Sequence, residues 1–240
     1  ALRAITLVTI AAFTAACSSD STAPDRQPAN LGDVLSEMTV PSVAASLVPG
    51  LPATPSTAAP TPSSCSYDAA TQSFTCPTVS ATGVTFTRSF TLLTVAGTPQ
   101  SQFDASTTDA VRTNSTMAGT FTTNGNSVTV AGQEELTLSG ILSGVHMLAG
   151  SSLLNVTGTD ANSDAPYTLS VATTVDDLVL PDTRADKWPK SGSLLVDLTH
   201  TMSGTTSTSH LSATFNGTSK VAVSLTSGGV TLITGSMDHG

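Results

Sequence analysis

The 240-residue sequence predicts an all-β fold, an antiparallel meander whose curved sheet forms a barrel or a sandwich, preceded by a disordered tether. Three observations point there. From Cys65 onward the chain is a succession of short runs that alternate apolar and polar residues, the pattern of a strand with one buried and one wet face. Turn signals separate the runs at hairpin spacing, Asn124-Gly125 being the strongest because Asn-Gly tolerates the positive φ of a type I′ turn. Ser and Thr make up nearly a third of the chain, while charged residues are only 10% and aromatics 4%. Thr is a good strand former, since its β-branch fits a pleated, half-buried surface.

Three segments follow from composition. Residues 1–16 read as a signal peptide, 17–64 as a tether and 65–240 as the β domain. Arg3 precedes an apolar run from Ala4 to Ala16, which is too short to span a bilayer as a helix of about 20 residues. The run ends in Thr14-Ala15-Ala16-Cys17, followed by Ser18-Ser19-Asp20. This junction resembles the lipobox of bacterial lipoproteins. The resemblance implies cleavage before Cys17, acylation of Cys17, and a membrane partnership through a lipid anchor. Ser18 after the cysteine further implies sorting to an outer membrane, with the domain in the periplasm or at the cell surface. Cleavage by an ordinary signal peptidase, or retention of the segment as a hydrophobic plug, are the alternatives.

The tether is dominated by Ser, Thr, Ala and Pro, a composition that stays extended as a semi-rigid spacer. Within it Leu31, Val34, Leu35 and Met38 fall on one helical face, with Asn30 as a candidate N-cap and Pro41 as the stop. So short a helix is expected to dock on the domain.

Parity orders the β domain. Val84, Phe86, Phe90 and Leu92 share one face, with Thr85, Thr87, Ser89 and Thr91 on the other. The Asn124-Gly125 turn sets Phe121 opposite Val128, and a Gly228-Gly229 turn sets Leu225 opposite Leu232. A third connection between Ala131 and Glu135 would bring Val130 opposite Leu136. About eleven strands result, with Thr107–Arg112 the one stretch expected to make a turn or two of helix. Turning at Ala70-Thr71 puts Cys65 opposite Cys76 and Tyr67 opposite Phe74. The two cysteines are expected to form a disulfide, and acylation of Cys17 accounts for the odd third one.

Chemistry is sparse. A net charge of −9 argues against nucleic acid, which needs clustered Lys and Arg. No nucleophile elbow, zinc-protease helix or phosphate loop occurs, and no cofactor is expected. Asp160–Asp164 has the spacing that opens a calcium loop, but Ala165 stands where the glycine is needed and Val171 where the closing Glu is needed. His200 faces the core with Leu198, whereas His210 falls on the opposite face; Ser209 is expected opposite His200, and no metal is expected. Asn114, Asn155 and Asn216 begin Asn-x-Ser/Thr sequons that read as fortuitous in so Thr-rich a chain.

One loop stands out. Residues 176–190 hold the single tryptophan, Trp188, with Arg184 and Lys187 beside it, which makes these three the candidate binding residues. The competing reading is that Trp188 plugs an open edge of the core. The function expected is a non-catalytic envelope or cell-surface module acting by contact with an unknown protein or glycan. The alternatives are an envelope hydrolase whose acids converge only in three dimensions, and a barrel carrying an apolar ligand.

Overall fold

The computed structural model describes residues 64–123, 125–160, 163–180 and 189–238. Cys17, residues 30–38 where a short helix is expected, and Arg184, Lys187 and Trp188 lie outside these residues. The described chain forms thirteen strands: β1 (Ser66–Asp68), β2 (Ser73–Thr75), β3 (Val79–Ala81), β4 (Val84–Thr94), β5 (Pro99–Gln100), β6 (Thr108–Thr123) and β7 (Asn126–Ser139). They continue as β8 (Met147–Thr159), β9 (Pro166–Val179), β10 (Ser191–Met202), β11 (Thr205–Asn216), β12 (Lys220–Ser227) and β13 (Val230–Asp238).

All belong to one antiparallel sheet whose main path is β1-β2-β4-β6-β7-β8-β9-β10-β11-β12-β13. That path has the eleven strands expected, and β3 and β5 are short additions flanking β4. The sheet is not closed into a barrel, because β1 and β13 remain the two ends of the path. Alternation places Val84, Phe90, Val111, Phe121, Val128, Leu138, Val156, Val171, Val196 and Leu211 on one face, all buried. A single layer can bury one face this fully only by curling over it, so the sheet supplies both walls of its own core. The outer face is a field of hydroxyls, many paired across strands: Thr87 with Thr116 at 2.6 Å, Thr120 with Thr129 at 3.0 Å, and Thr201 with Thr206 at 2.9 Å.

Several expectations of register are met and several are displaced. Phe121 does lie opposite Val128 across Asn124-Gly125, and Tyr67 opposite Phe74. Leu225, however, pairs with Ile233 rather than Leu232. The Gly228-Gly229 turn sits where expected, but a bulge at Leu225/Thr226 absorbs one residue and shifts everything beyond it. Ser207, not Ser209, lies opposite His200, because the turn uses Ser203-Gly204, both at positive φ (50° and 80°). Parity survives this two-residue slip, so His210 still projects outward, to Asp197.

Two corrections are larger. Thr108–Arg112 is the start of β6 rather than helix. The amides of Thr107 and Thr108 both donate to the Asp104 carbonyl, which turns the chain once, and buried Ala110 and Val111 then pair with Leu93 and Leu92 on β4. The turn expected between Ala131 and Glu135 does not exist. Strand β7 runs straight through, with Gly132 paired to Met117 and Leu154, and Glu134 to Ser115 and Ser152. Val130 and Leu136 share a face because they are six residues apart on one strand.

Candidate functional site

Because β7 is continuous, Glu134 takes the inward parity of Val128, Val130, Leu136 and Leu138. Arg88 on β4 does the same, lying between Phe86 and Phe90 in the inward series. The pairings put the two in one row. Arg88 is opposite Ser115, Ser115 opposite Glu134, Glu134 opposite Ser152, and Ser152 opposite Thr173. Five successive strands of the path therefore contribute a polar residue to the same level of the interior.

That row divides the core. On one side Phe90, Leu92, Val111, Leu136, Leu138 and Leu148 form one sealed cluster. On the other, Val84, Phe121, Val128, Val130, Leu154 and Val156 belong to a second. Between them Arg88, Ser115, Glu134, Ser152 and Thr173 are half-buried, so a polar waist separates the two apolar clusters.

The electrostatics follow from the burial. Desolvation raises the pKa of the Glu134 carboxyl, and the Arg88 charge pulls it part of the way back. Burial likewise lowers the pKa of the Arg88 guanidinium, with Glu134 opposing. The two groups thus sense each other, yet no ion pair joins them among the described residues. The Nε of Arg88 is sealed from solvent and has no hydrogen-bond partner. An unsatisfied buried donor costs about 1–3 kcal/mol, more for a charged group, so this arrangement weakens the core it interrupts.

A second feature lies at the end of the path. Strand β13 pairs with β12 on one side, and no described strand pairs with its other side. Val230, Leu232, Ile233 and Met237 are exposed on it, Val230 at 62%. The strand contains no proline or lysine, and its only charge is Asp238 at the end. Natural sheets usually blunt such edges with charge, proline, a bulge or a cover, and of these β13 carries a bulge, at Leu232, between Thr231 and Ile233. The β4 side of the sheet is treated in that way, flanked by β2, β3 and β5, the last beginning at Pro99.

Of the residues singled out from sequence, Cys65 and Cys76 are joined in a disulfide with Cα atoms 4.0 Å apart. The hairpin it closes seats Phe74 flat on Phe90, with ring centroids 4.7 Å apart. Asp160 accepts hydrogen bonds from the Ser163 amide and hydroxyl at 2.9 and 2.8 Å, as the tip of a polar hairpin does. Among the described residues no cluster of three or more His, Cys, Asp or Glu could hold a metal ion. No helix in the described residues is long and apolar enough to cross a membrane. Sequence reasoning missed Arg88 and Glu134. The signal is a charged residue at an inward position of each strand, and at Glu134 it is masked by the turn-like composition of Gly132-Gln133-Glu134. Compared with protein-family models, with curated proteins and with solved structures, the chain matches none.

Proposed function

We propose that this protein is a lipid-anchored envelope module that acts by contact, capturing an extended strand of a partner polypeptide along β13. The observation that supports it is the open edge of β13, nine residues long, with Val230, Leu232, Ile233 and Met237 exposed and no proline or lysine on it. Strand addition would satisfy the outward backbone groups of β13 and cover Val230, Ile233 and Met237. The Ser/Thr/Pro-rich tether, held at an acylated Cys17 in an outer membrane, would give the domain reach to meet its partner. The hydrolase alternative needs two acids converging; on the inward positions of the described strands Glu134 is the single carboxylate.

Gly235→Lys tests the contact reading. A Cβ built at Gly235 meets nothing within 4 Å, so the substitution fits the folded domain. It places an inward-pointing lysine on the edge, which blocks strand pairing. The wild-type full-length protein is expected to capture a partner and to gain hydrogen-exchange protection at residues 231–237 in its presence. The variant should lose both with its thermal unfolding unchanged. Retained capture and protection in the variant would end the proposal, as would a homodimer formed through β13. The anchor is tested separately by mass: the protein extracted from membranes should begin at Cys17 and carry acyl chains.

A further inference from the structure

The buried interior stops one strand short of the sheet's open end. Val221 and Leu225 on β12 are both 3% exposed and belong to the core. Their partners on β13, Met237 and Ile233, continue the same inward row but are 43% and 37% exposed. Among the described residues neither packs into a core cluster. Gly235 stands between them, opposite half-buried Val223. The inner face therefore ends in an apolar strip, one strand wide, that the curl of the sheet does not cover. From Ile233 to Met237 the strip runs about 13 Å at the rise of a strand.

We propose that residues 30–38 of this same chain cover the strip, packing Leu31, Val34, Leu35 and Met38 against Val223, Ile233 and Met237. The spacing of those four residues predicts one helical stripe. From Leu31 to Met38 the stripe runs about 10 Å at helical rise, close to the length of the strip. The point where the chain enters the sheet favours this occupant. Cys65 packs against the cluster of Phe90 and Leu138, and Leu178 packs against both that cluster and the one containing Val221. The N-terminal segment thus joins the domain beside the part of the interior that leads to the strip. Residues 39–63 connect the stripe to Ser64. A linker of about 25 residues extends to about 80 Å, more than the width of a domain of this size. Such a linker also sets a local concentration on the order of millimolar, so a helix too short to be stable alone is held by a weak contact. A second copy of the chain lacks that advantage. Docking uses the inner side chains of β13, whereas strand capture uses the backbone groups along its edge, so each reading can fail without the other.

The test is made on the full chain without a partner. A diazirine amino acid incorporated at position 38 should, on illumination, cross-link to residues 221–237 of the same molecule, as located by mass spectrometry. Amides of residues 34–38 should exchange at least tenfold faster in Ile233→Ser/Met237→Ser than in the wild type. Both replaced residues are exposed, so the domain is expected to keep its fold. Leu31→Ser/Leu35→Ser, made outside the sheet, serves as the second variant. It should lose the same protection and still capture a strand along the edge of β13. Cross-links that fall elsewhere on the domain would overturn the proposal, as would protection of residues 34–38 that either variant leaves unchanged. Cross-links that join two molecules and grow with protein concentration would overturn it too, and would assign the strip to a second copy.

Discussion

The carbonyl oxygen of Gly83 lies against Gly119 so closely that a Cβ added to Gly119 would sit 2.2 Å from it. Gly83 closes the β3–β4 hairpin at a φ of 85°, and its carbonyl accepts the amide of Thr120 at 3.1 Å. Backbone therefore meets backbone where the start of β4 pairs with the far end of β6, the sheet's longest strand. The Cα of Val84 would also be 2.6 Å from the new Cβ, so no flexible side chain can move aside.

Gly119→Ala is accordingly expected to destabilise the domain by roughly 1–3 kcal/mol or more, as overpacking does when the backbone must shift. Gly119 has an ordinary φ, so the cost would come from contact and not from backbone conformation. Urea unfolding of the two proteins measures it. An alanine variant as stable as the wild type would show that β4 and β6 can part there without loss.

The Cys65–Cys76 bridge has a separate energetic role. It closes a segment of twelve residues, counted from a sequence separation of 11, at the point where the chain joins the sheet. On the chain-entropy model, a loop of that size is worth about 3 kcal/mol. Reduction, or replacement of both cysteines by Ala, should lower global stability by that order. The effect should concentrate on β1 and β2, whose remaining hold is the short pairing of β2 with β4 and the stacking of Phe74 on Phe90. Hydrogen exchange resolves the two. If β1 and β2 exchange no faster than β7 in the reduced protein, the bridge is not what holds them.

How far the sequence could be read depended on what each signal measures. Alternation reports which face a residue takes, and a face survives any slip of two residues. Hence the inward placement of Val84, Phe121 and Leu211 and the outward placement of His210 were legible. Register depends on where a turn falls, and Ser203-Gly204 against Gly204-Thr205 differ by one residue at the turn and two in every pair beyond it. The bulge opposite Leu225/Thr226 leaves Leu232 unpaired, and neither Gly nor Pro stands at that position to mark it. The polar row was hidden for a different reason. Gly132-Gln133-Glu134 has the composition of a turn, and only the tertiary pairing with Met117 and Leu154 carries the strand through it. A buried Glu becomes readable only once an inward Arg is known to lie two strands away.

The final expectation concerns the pH dependence of that Glu. Burial raises the pKa of Glu134 above its ordinary value of 4.5, with Arg88 opposing but not cancelling the effect. The folded state therefore holds the proton more tightly than the unfolded chain does. The stability this lends is fully present below the unfolded value and is lost as pH rises through the elevated folded value. Glu134→Gln cannot ionise and has no such dependence. The stability of the wild type relative to Glu134→Gln should thus fall as pH is raised from about 4 to about 7. Asp104 works in the opposite sense, because hydrogen bonds from Ser106 lower its pKa, and its contribution is lost on acidification. Asp104 is common to both proteins, so it cancels when they are compared at each pH. Denaturant unfolding across that range gives the difference directly. A difference that stays flat, or that moves toward the wild type as pH rises, would show that Glu134 is not ionising against a desolvation cost inside the sheet.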